Sequence, residues 1–479
     1  MIIPLLVVGQ IELGFPHIFR TLSEFSPVKY VRANFDTRWL ILLQFIHDFW
    51  HWASEYQAIV NPSRSWLRDT MTQSRANSGI PLGISISAFL LVFAMWAPMY
   101  CVPPMEQVLR EQLLITHAQI SLLFSAPLLM VAVTAVPGGI LADRIGARKA
   151  AGIGVILIVL GTVLRGTATD ASSLLAFTFI YGAGFGLSYP NIPKLVSAWT
   201  PREKAGTTSG LFNLGLPVGS ALVLALTMPV VFTFTGSYQG VFFIWSIPPI
   251  VAAISWWTLV REPPSSVVQG QMVGGSNTQG MFGRLIRNRN LWILLVLLLL
   301  NEFYMNTMIG WTPALLAGVG VGPQLAGVVT SVIPWAAVPA FLFMPRLCDR
   351  LGLRRPFIWF PSLILAVVAW AAMSISLPLS WLLMATVGVA VPTRFITILT
   401  VLVELMPAEY VGTASGVVFI GYVGGIMGTY ITGRILDATG TFGPALLTLV
   451  IISIVSLVLA TRLPETGYKA RGLKVRYGD

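Results

Sequence analysis

The sequence predicts an all-α membrane protein with twelve transmembrane helices in two six-helix bundles and both termini cytoplasmic. Three observations carry this. Of 479 residues, 55% are hydrophobic and 10% charged, where a soluble domain carries about 25% charged residues. Charge-poor runs long enough to cross a bilayer, about 20 residues each, recur twelve times. Two separated segments of the first half also return in the second half at one constant offset. Such a composition cannot clothe a water-facing surface, which excludes a soluble enzyme. The net charge of +11 does not point to nucleic acid, because the basic residues fall in short loops between apolar runs and not on one face. Cys101 and Cys348 are too far apart in sequence to suggest a disulfide framework or a zinc site. The 44 glycines suit closely packed membrane helices.

Residues 1–80 form an extension that is interfacial or appended. They hold six acids, seven Lys and Arg, and three of the four histidines. The aromatic stretch 38–60 is interrupted by His47, Asp48 and His51, which predicts an interfacial amphipathic helix and not a span. His47, His51 and Glu55 follow an i, i+4, i+8 pattern that metal ligands use and that ordinary interfacial faces share. Met71 precedes a polar lead-in to the first span and is a plausible start. No secretory signal pattern is present.

Residues 81–260 form the first bundle. Its spans are Pro81–Val102, Ala118–Ala142, Ala150–Leu164 with Arg165 snorkelling to the interface, Ala171–Pro193, and a charge-free run over 205–260 that Thr235–Gly240 splits in two. Residues 261–290 are a polar cytoplasmic linker. The second bundle, 291–461, contains Leu291–Gly318 and Leu325–Pro345. A run from Pro356 follows, splits near Ser374–Ser380 and continues to about Leu405. Val411–Gly433 and Ala438–Ala460 complete it. Residues 462–479 are a basic cytoplasmic tail. From residue 143 onward, the loops on the predicted inner side hold nineteen Lys and Arg, and the outer loops hold Arg110, Arg165 and Arg434; positive charge marks the cytoplasmic side.

The repeat has an offset of 206. Leu141, Asp143, Arg144, Gly146, Arg148 and Lys149 match Leu347, Asp349, Arg350, Gly352, Arg354 and Arg355. The same offset carries Pro201, Glu203, Gly206 and Thr207 onto Pro407, Glu409, Gly412 and Thr413, and Gly215 and Gly219 onto Gly421 and Gly425. One register fitting two motifs implies two bundles of the same direction in the membrane, an architecture of transporters whose site lies near the midplane. The segment Gly139–Lys149 resembles motif A of the major facilitator superfamily, G-x-L-x-D-R-x-G-x-[RK]-[RK], and the resemblance covers roughly 80–462 through topology. The second copy departs at its first position, Pro345. The resemblance implies a gating cluster of Gly139, Asp143, Arg144, Gly146, Arg148 and Lys149, with Asp349 and Arg350 in the second copy. It also implies that Asp143 and Arg144 latch the halves in the outward-facing state. Lys194 is the candidate partner of Asp143. The stretch Pro190–Trp199 is similar to the cyanate and nitrate/nitrite porter branch, but the arginines that nitrate porters carry in spans two and eight are missing. Gly219-Ser220 replaces the Gly-Pro of the antiporter signature.

An ionisable group at bilayer depth is a functional candidate by default. Glu302 falls near the middle of span seven and Arg394 near the middle of span ten. Arg394 is a candidate for forked binding of an anion or for a structural ion pair with Glu302, which is itself a candidate proton carrier. Asn301, Tyr304 and Asn306 add polar groups beside Glu302. Tyr189 and Asn213 do so in the first half, where helix–helix hydrogen bonding is the competing role. His117 is expected in an exposed outer loop.

The expected function is secondary transport of a small solute, an organic or inorganic anion, by alternating access, with a proton as candidate coupling ion. A drug/proton antiporter of the same superfamily is the alternative, and a channel ranks below it. No enzyme activity, cofactor or metal is expected, and no P-loop supports ATP-driven pumping. The partners are the solute and the lipid bilayer, and the chain is expected to be a monomer.

Overall fold

The computed structural model describes residues 82–199, 211–261, 287–406 and 411–467. His47, His51 and Glu55, most of 261–290, the segments around Pro201 and Pro407, and residues 468–479 lie outside the described residues.

Among the described residues, twelve helices are long and apolar enough to cross a membrane. They are α1 Gly83–Leu113, α2 His117–Ile145, α3 Ala147–Arg165, α4 Ala171–Val196, α5 Leu211–Thr235, α6 Tyr238–Leu259, α7 Arg289–Ala317, α8 Pro323–Leu351, α9 Pro356–Ser374, α10 Leu377–Leu405, α11 Ala414–Thr439 and α12 Gly443–Arg462. Local chemistry sets their ends. Thr116 and Gln119 form a reciprocal capping box at the start of α2, which satisfies otherwise orphaned N–H groups. Asp170 caps α4 through the N–H groups of Ser172 and Ser173. The turn from α2 to α3 passes through Gly146 at φ +93°, a conformation that a side chain would strain.

The repeat is visible in the helix bounds. α2 runs from 117 to 145 and α8 from 323 to 351, both ends 206 apart, and α4 and α10 start 206 apart. The main packing between the halves follows the same symmetry: α2 lies along α11, and their repeat counterparts α8 and α5 lie along each other. This packing is tight at one end. On α2, Ala118, Ser121 and Ser125 are buried, whereas further along the same helical side Leu129 and Val136 are 41% and 69% exposed. The halves therefore meet at the end that holds His117 and part toward the end that holds Asp143 and Asp349.

Two expectations give way here. Arg165 does not snorkel. It is fully buried, donates to the Pro98 carbonyl at 2.6 Å and lies over the Phe242 ring at 4.3 Å. α3 starts three residues earlier than the apolar run suggests, at Ala147, and its last turn packs within the bundle. His117 is not in an exposed loop but is the first residue of α2, held between two carboxylates as described below.

Candidate functional site

A cavity of about 110 Å³ lies between the halves. α7 supplies one wall. Glu302, Met305, Asn306 and Ile309 recur at helical spacing and share one face. Rings close the other sides: Trp96 and Tyr100 from α1, Phe341 from α8, Phe395 from α10 and Tyr422 from α11. Pro217 and Ser220 of α5 complete the first-half wall.

Asn301 and Glu302 line this cavity, while Arg394 sits behind it, 1% exposed. Arg394 Nε donates to Asn301 Oδ1 at 2.8 Å, and Nη1 donates to Ser362 Oγ at 3.3 Å. Its buried Nη2 has no hydrogen-bond partner. Asn301 Nδ2 in turn donates to Glu302 Oε1 at 3.3 Å, and Asn306 Nδ2 donates to Oε2 at 3.4 Å. The ion pair that the sequence offered as one role for Arg394 and Glu302 is thus an indirect one, carried by a side-chain amide.

Other candidates fall elsewhere. Tyr304 points away from the cavity and donates to the Leu365 carbonyl at 2.9 Å, because two residues along a helix turn about 200° from Glu302. Tyr189 stands one ring behind the wall, edge-on to Trp96 at 6.4 Å. Asn213 is exposed near the start of α5, off the Leu216–Ser220 stretch that lines the cavity. The aromatic lining was missed. Its only sequence signal is a scatter of rings, such as Trp96 and Tyr100 at i, i+4.

The two ends of the molecule differ. At the parted end, the Asp143 carboxylate pairs with Lys194 of α4, within the same half. Arg148 turns away to α6, donating to the Trp257 carbonyl at 2.9 Å and lying over its ring. In the second copy Arg354 binds Asp349 at 2.7 Å and Glu404 at 2.8 Å, and Glu465 accepts from the Arg354 and Arg355 backbone. At the closed end, Asp437 of α11 caps the start of α2. Its carboxylate accepts from the backbone of His117 and Ala118 at 2.9 and 3.0 Å and contacts His117 Nδ1 at 2.9 Å. His117 Nε2 is 3.7 Å from Glu106 of α1. Gly433 lets α11 approach this closely, since a Cβ there would stand 2.8 Å from the His117 carbonyl oxygen.

Twelve spans in two related halves around a central cavity define a membrane transport protein. The family model described as Major Facilitator Superfamily matches residues 84–429, and the chain belongs to that superfamily, a family of secondary transporters of small solutes and not of enzymes. An uncharacterized transporter of Bacillus subtilis (strain 168) is 22% identical over 254 residues, 53% of this chain and 61% of that relative. The hexuronate transporter of the same organism is 22% identical over 358 residues, 71% of this chain and 84% of the relative. The 3-(3-hydroxy-phenyl)propionate transporter of Escherichia coli (strain K12) is 27% identical over 341 residues, 68% and 80% of the two chains. Among solved structures, a D-xylose-proton symporter superposes with TM-score 0.66 at 15% identity, covering 81% of this chain and 99% of that one; it shares the fold.

Proposed function

We propose that the chain is a proton-coupled symporter of a small organic anion, with both termini cytoplasmic. The observation that carries this reading is the chain Arg394–Asn301–Glu302 at the cavity wall. With Glu302 ionised, the charge of Arg394 is balanced through Asn301. A proton on Glu302 leaves Arg394 unmatched in a low-dielectric interior, where charges attract far more strongly than in water. The site then draws an anion, and proton and solute travel together. Flat apolar walls from Trp96, Tyr100 and Phe395 suit a planar ring or the face of a sugar. The names of two relatives, hexuronate and 3-(3-hydroxy-phenyl)propionate transporters, denote carboxylate solutes and support the same class. Asp143, Arg144, Asp349 and Arg350, at the parted end, are the groups we assign to closing it, with Lys194 holding Asp143 meanwhile. The test is uptake of these two anions into proteoliposomes. An acid-outside gradient should drive accumulation, and uptake indifferent to that gradient would refute proton coupling.

One observation favours a second reading, proton exchange for an organic cation. Glu302 is the sole Asp, Glu, Lys, Arg or His among the cavity-lining residues, and a carboxylate among aromatic rings suits a cation. Glu302→Gln separates the two: it should abolish cation binding and preserve anion binding.

A further inference from the structure

The two halves are unequal copies where α8, α9 and α10 meet. In the first half, α2 and α3 pack against α4 and against each other, and glycines permit it. A Cβ on Gly138 would stand 2.8 Å from the Leu187 Cα, and one on Gly154 would stand 2.6 Å from the Gly184 carbonyl oxygen. At the 206 offset, Gly138, Gly154 and Gly184 become Met344, Phe360 and Ala390. All three line a groove of about 640 Å³ between α8 and α9, with α10 as its floor. Side chains stand where the first half has backbone contact, and α8 and α9 are held apart where α2 and α3 touch.

The groove is apolar. Thr386 and Thr393 bear its only hydroxyls, and each donates to its own helix, to the Leu382 and Val389 carbonyls. It opens outward: Leu347, Leu351 and Phe360 are 42%, 43% and 52% exposed. The same apolar surface continues along α9 through Leu363, Val367 and Trp370. In a chain of twelve spans that surface faces hydrocarbon, so the groove is continuous with the lipid-facing side. Its end is basic. Arg346 and Arg350 directly precede the groove-lining Leu347 and Leu351 in the last two turns of α8, and Arg346 also donates to the Leu342 carbonyl of its own helix at 2.5 Å.

We propose that this groove binds one anionic phospholipid, with an acyl chain against α10 and the phosphate at the level of Arg346 and Arg350. Basic clusters at the ends of membrane helices attract anionic headgroups, and a recess in the lipid-facing surface is filled by the bilayer itself. The site gives the second copy of the repeated motif a role that the first copy, with its glycine packing, does not share. It also touches the central site from behind. Thr393 faces the groove, Pro392 and Phe395 face the cavity, and Arg394 lies between them on the same helix. Lipid binding stands independently of which solute the cavity carries.

The test is native mass spectrometry of the full chain released from nanodiscs of equal phosphatidylglycerol and phosphatidylethanolamine. The wild type should retain one phosphatidylglycerol. Thr386→Trp, which fills the floor, should lose it. The double change Arg346→Gln with Arg350→Gln leaves the groove intact and should lower the preference for phosphatidylglycerol about ten- to thirty-fold. Unfolding temperatures confirm that each variant is folded. Undiminished retention in folded Thr386→Trp, or equal retention of both lipids by the wild type, would overturn the proposal.

Discussion

Arg394 and Glu302 are joined without touching: the amide of Asn301 accepts from one at 2.8 Å and donates to the other at 3.3 Å. This makes Asn301 the point at which the two charges can be uncoupled. Asn301→Ala strands the buried Nε of Arg394 and should cost about 1–3 kcal/mol, seen as a lowered unfolding temperature. Asn301→Asp places a carboxylate directly against Arg394. It should keep stability near wild type while weakening anion binding, and unchanged affinity in that variant would refute the electrostatic role given to Arg394.

Protonation of Glu302 sets the sign of the pH response. Acidification fills the carboxylate, so anion affinity of the wild type should rise as pH falls. Glu302→Gln mimics the protonated form, so its affinity should be high and flat with pH. It should sustain solute exchange across proteoliposome membranes but not gradient-driven accumulation.

Arg394→Lys keeps the charge but cannot hold Asn301 and Ser362 with separate arms of a planar fork. Anion affinity should fall about ten-fold, or ~1.4 kcal/mol, and Arg394→Gln should fall further at every pH. Isothermal titration across these variants checks the order.

Asp437 spans the two halves, so its removal should open the end it closes. Asp437→Asn weakens charge-assisted bonds to the start of α2, worth about 1.5–3 kcal/mol. A cysteine placed at Ser125, 1% exposed on the covered side of α2, should then be alkylated faster than in the parent carrying Asp437. Equal rates would show that Asp437 does not hold this end.

Arg165 is buried with Nε and Nη2 lacking partners. Arg165→Met keeps the bulk against Phe242 and removes a buried charge whose desolvation opposes folding, so stability should be unchanged or raised. The Pro98 carbonyl retains the Cys101 thiol as donor. Arg165→Ala leaves a void and should destabilise by about 2–5 kcal/mol, the scale of large-to-small core changes. Thermal unfolding distinguishes the pair.

The positive charge of the loops predicts an orientation that labelling can check. A cysteine at Gln239 should react with an impermeant reagent from outside, and one at Leu473 only after permeabilisation. The reverse result would invert the orientation.

What the sequence reveals here follows from what each signal measures. Bilayer thickness imposes length and apolarity on a span, so the twelve helices and the 206-residue shift between α2 and α8 were readable from composition and spacing. Position along a span was readable too, which singled out Glu302 and Arg394, each near the middle of its helix. Facing was not. Tyr304 lies two residues from Glu302 and points into the packed half, and Asn213 stands off the lining of its own helix. Neither direction is encoded without knowing which neighbour each helix meets. His117 and Arg165 were misjudged for the same reason: in a linear reading, a polar residue at a helix end belongs to the water. Here Asp437, 320 positions away, reaches His117, and the Pro98 carbonyl reaches Arg165.

α11 touches both the closed end and the wall of the cavity. Near its far end Asp437 grips the start of α2, and midway along it Gly425 lies against Asn306, where a Cβ would stand 2.6 Å from the amide nitrogen that holds the Glu302 carboxylate. A tilt of that one helix would release the grip and disturb the carboxylate's hydrogen bonding in a single movement. Access to one side of the membrane and willingness to hold a proton would then change in step, so that a proton taken up on one side is let go on the other.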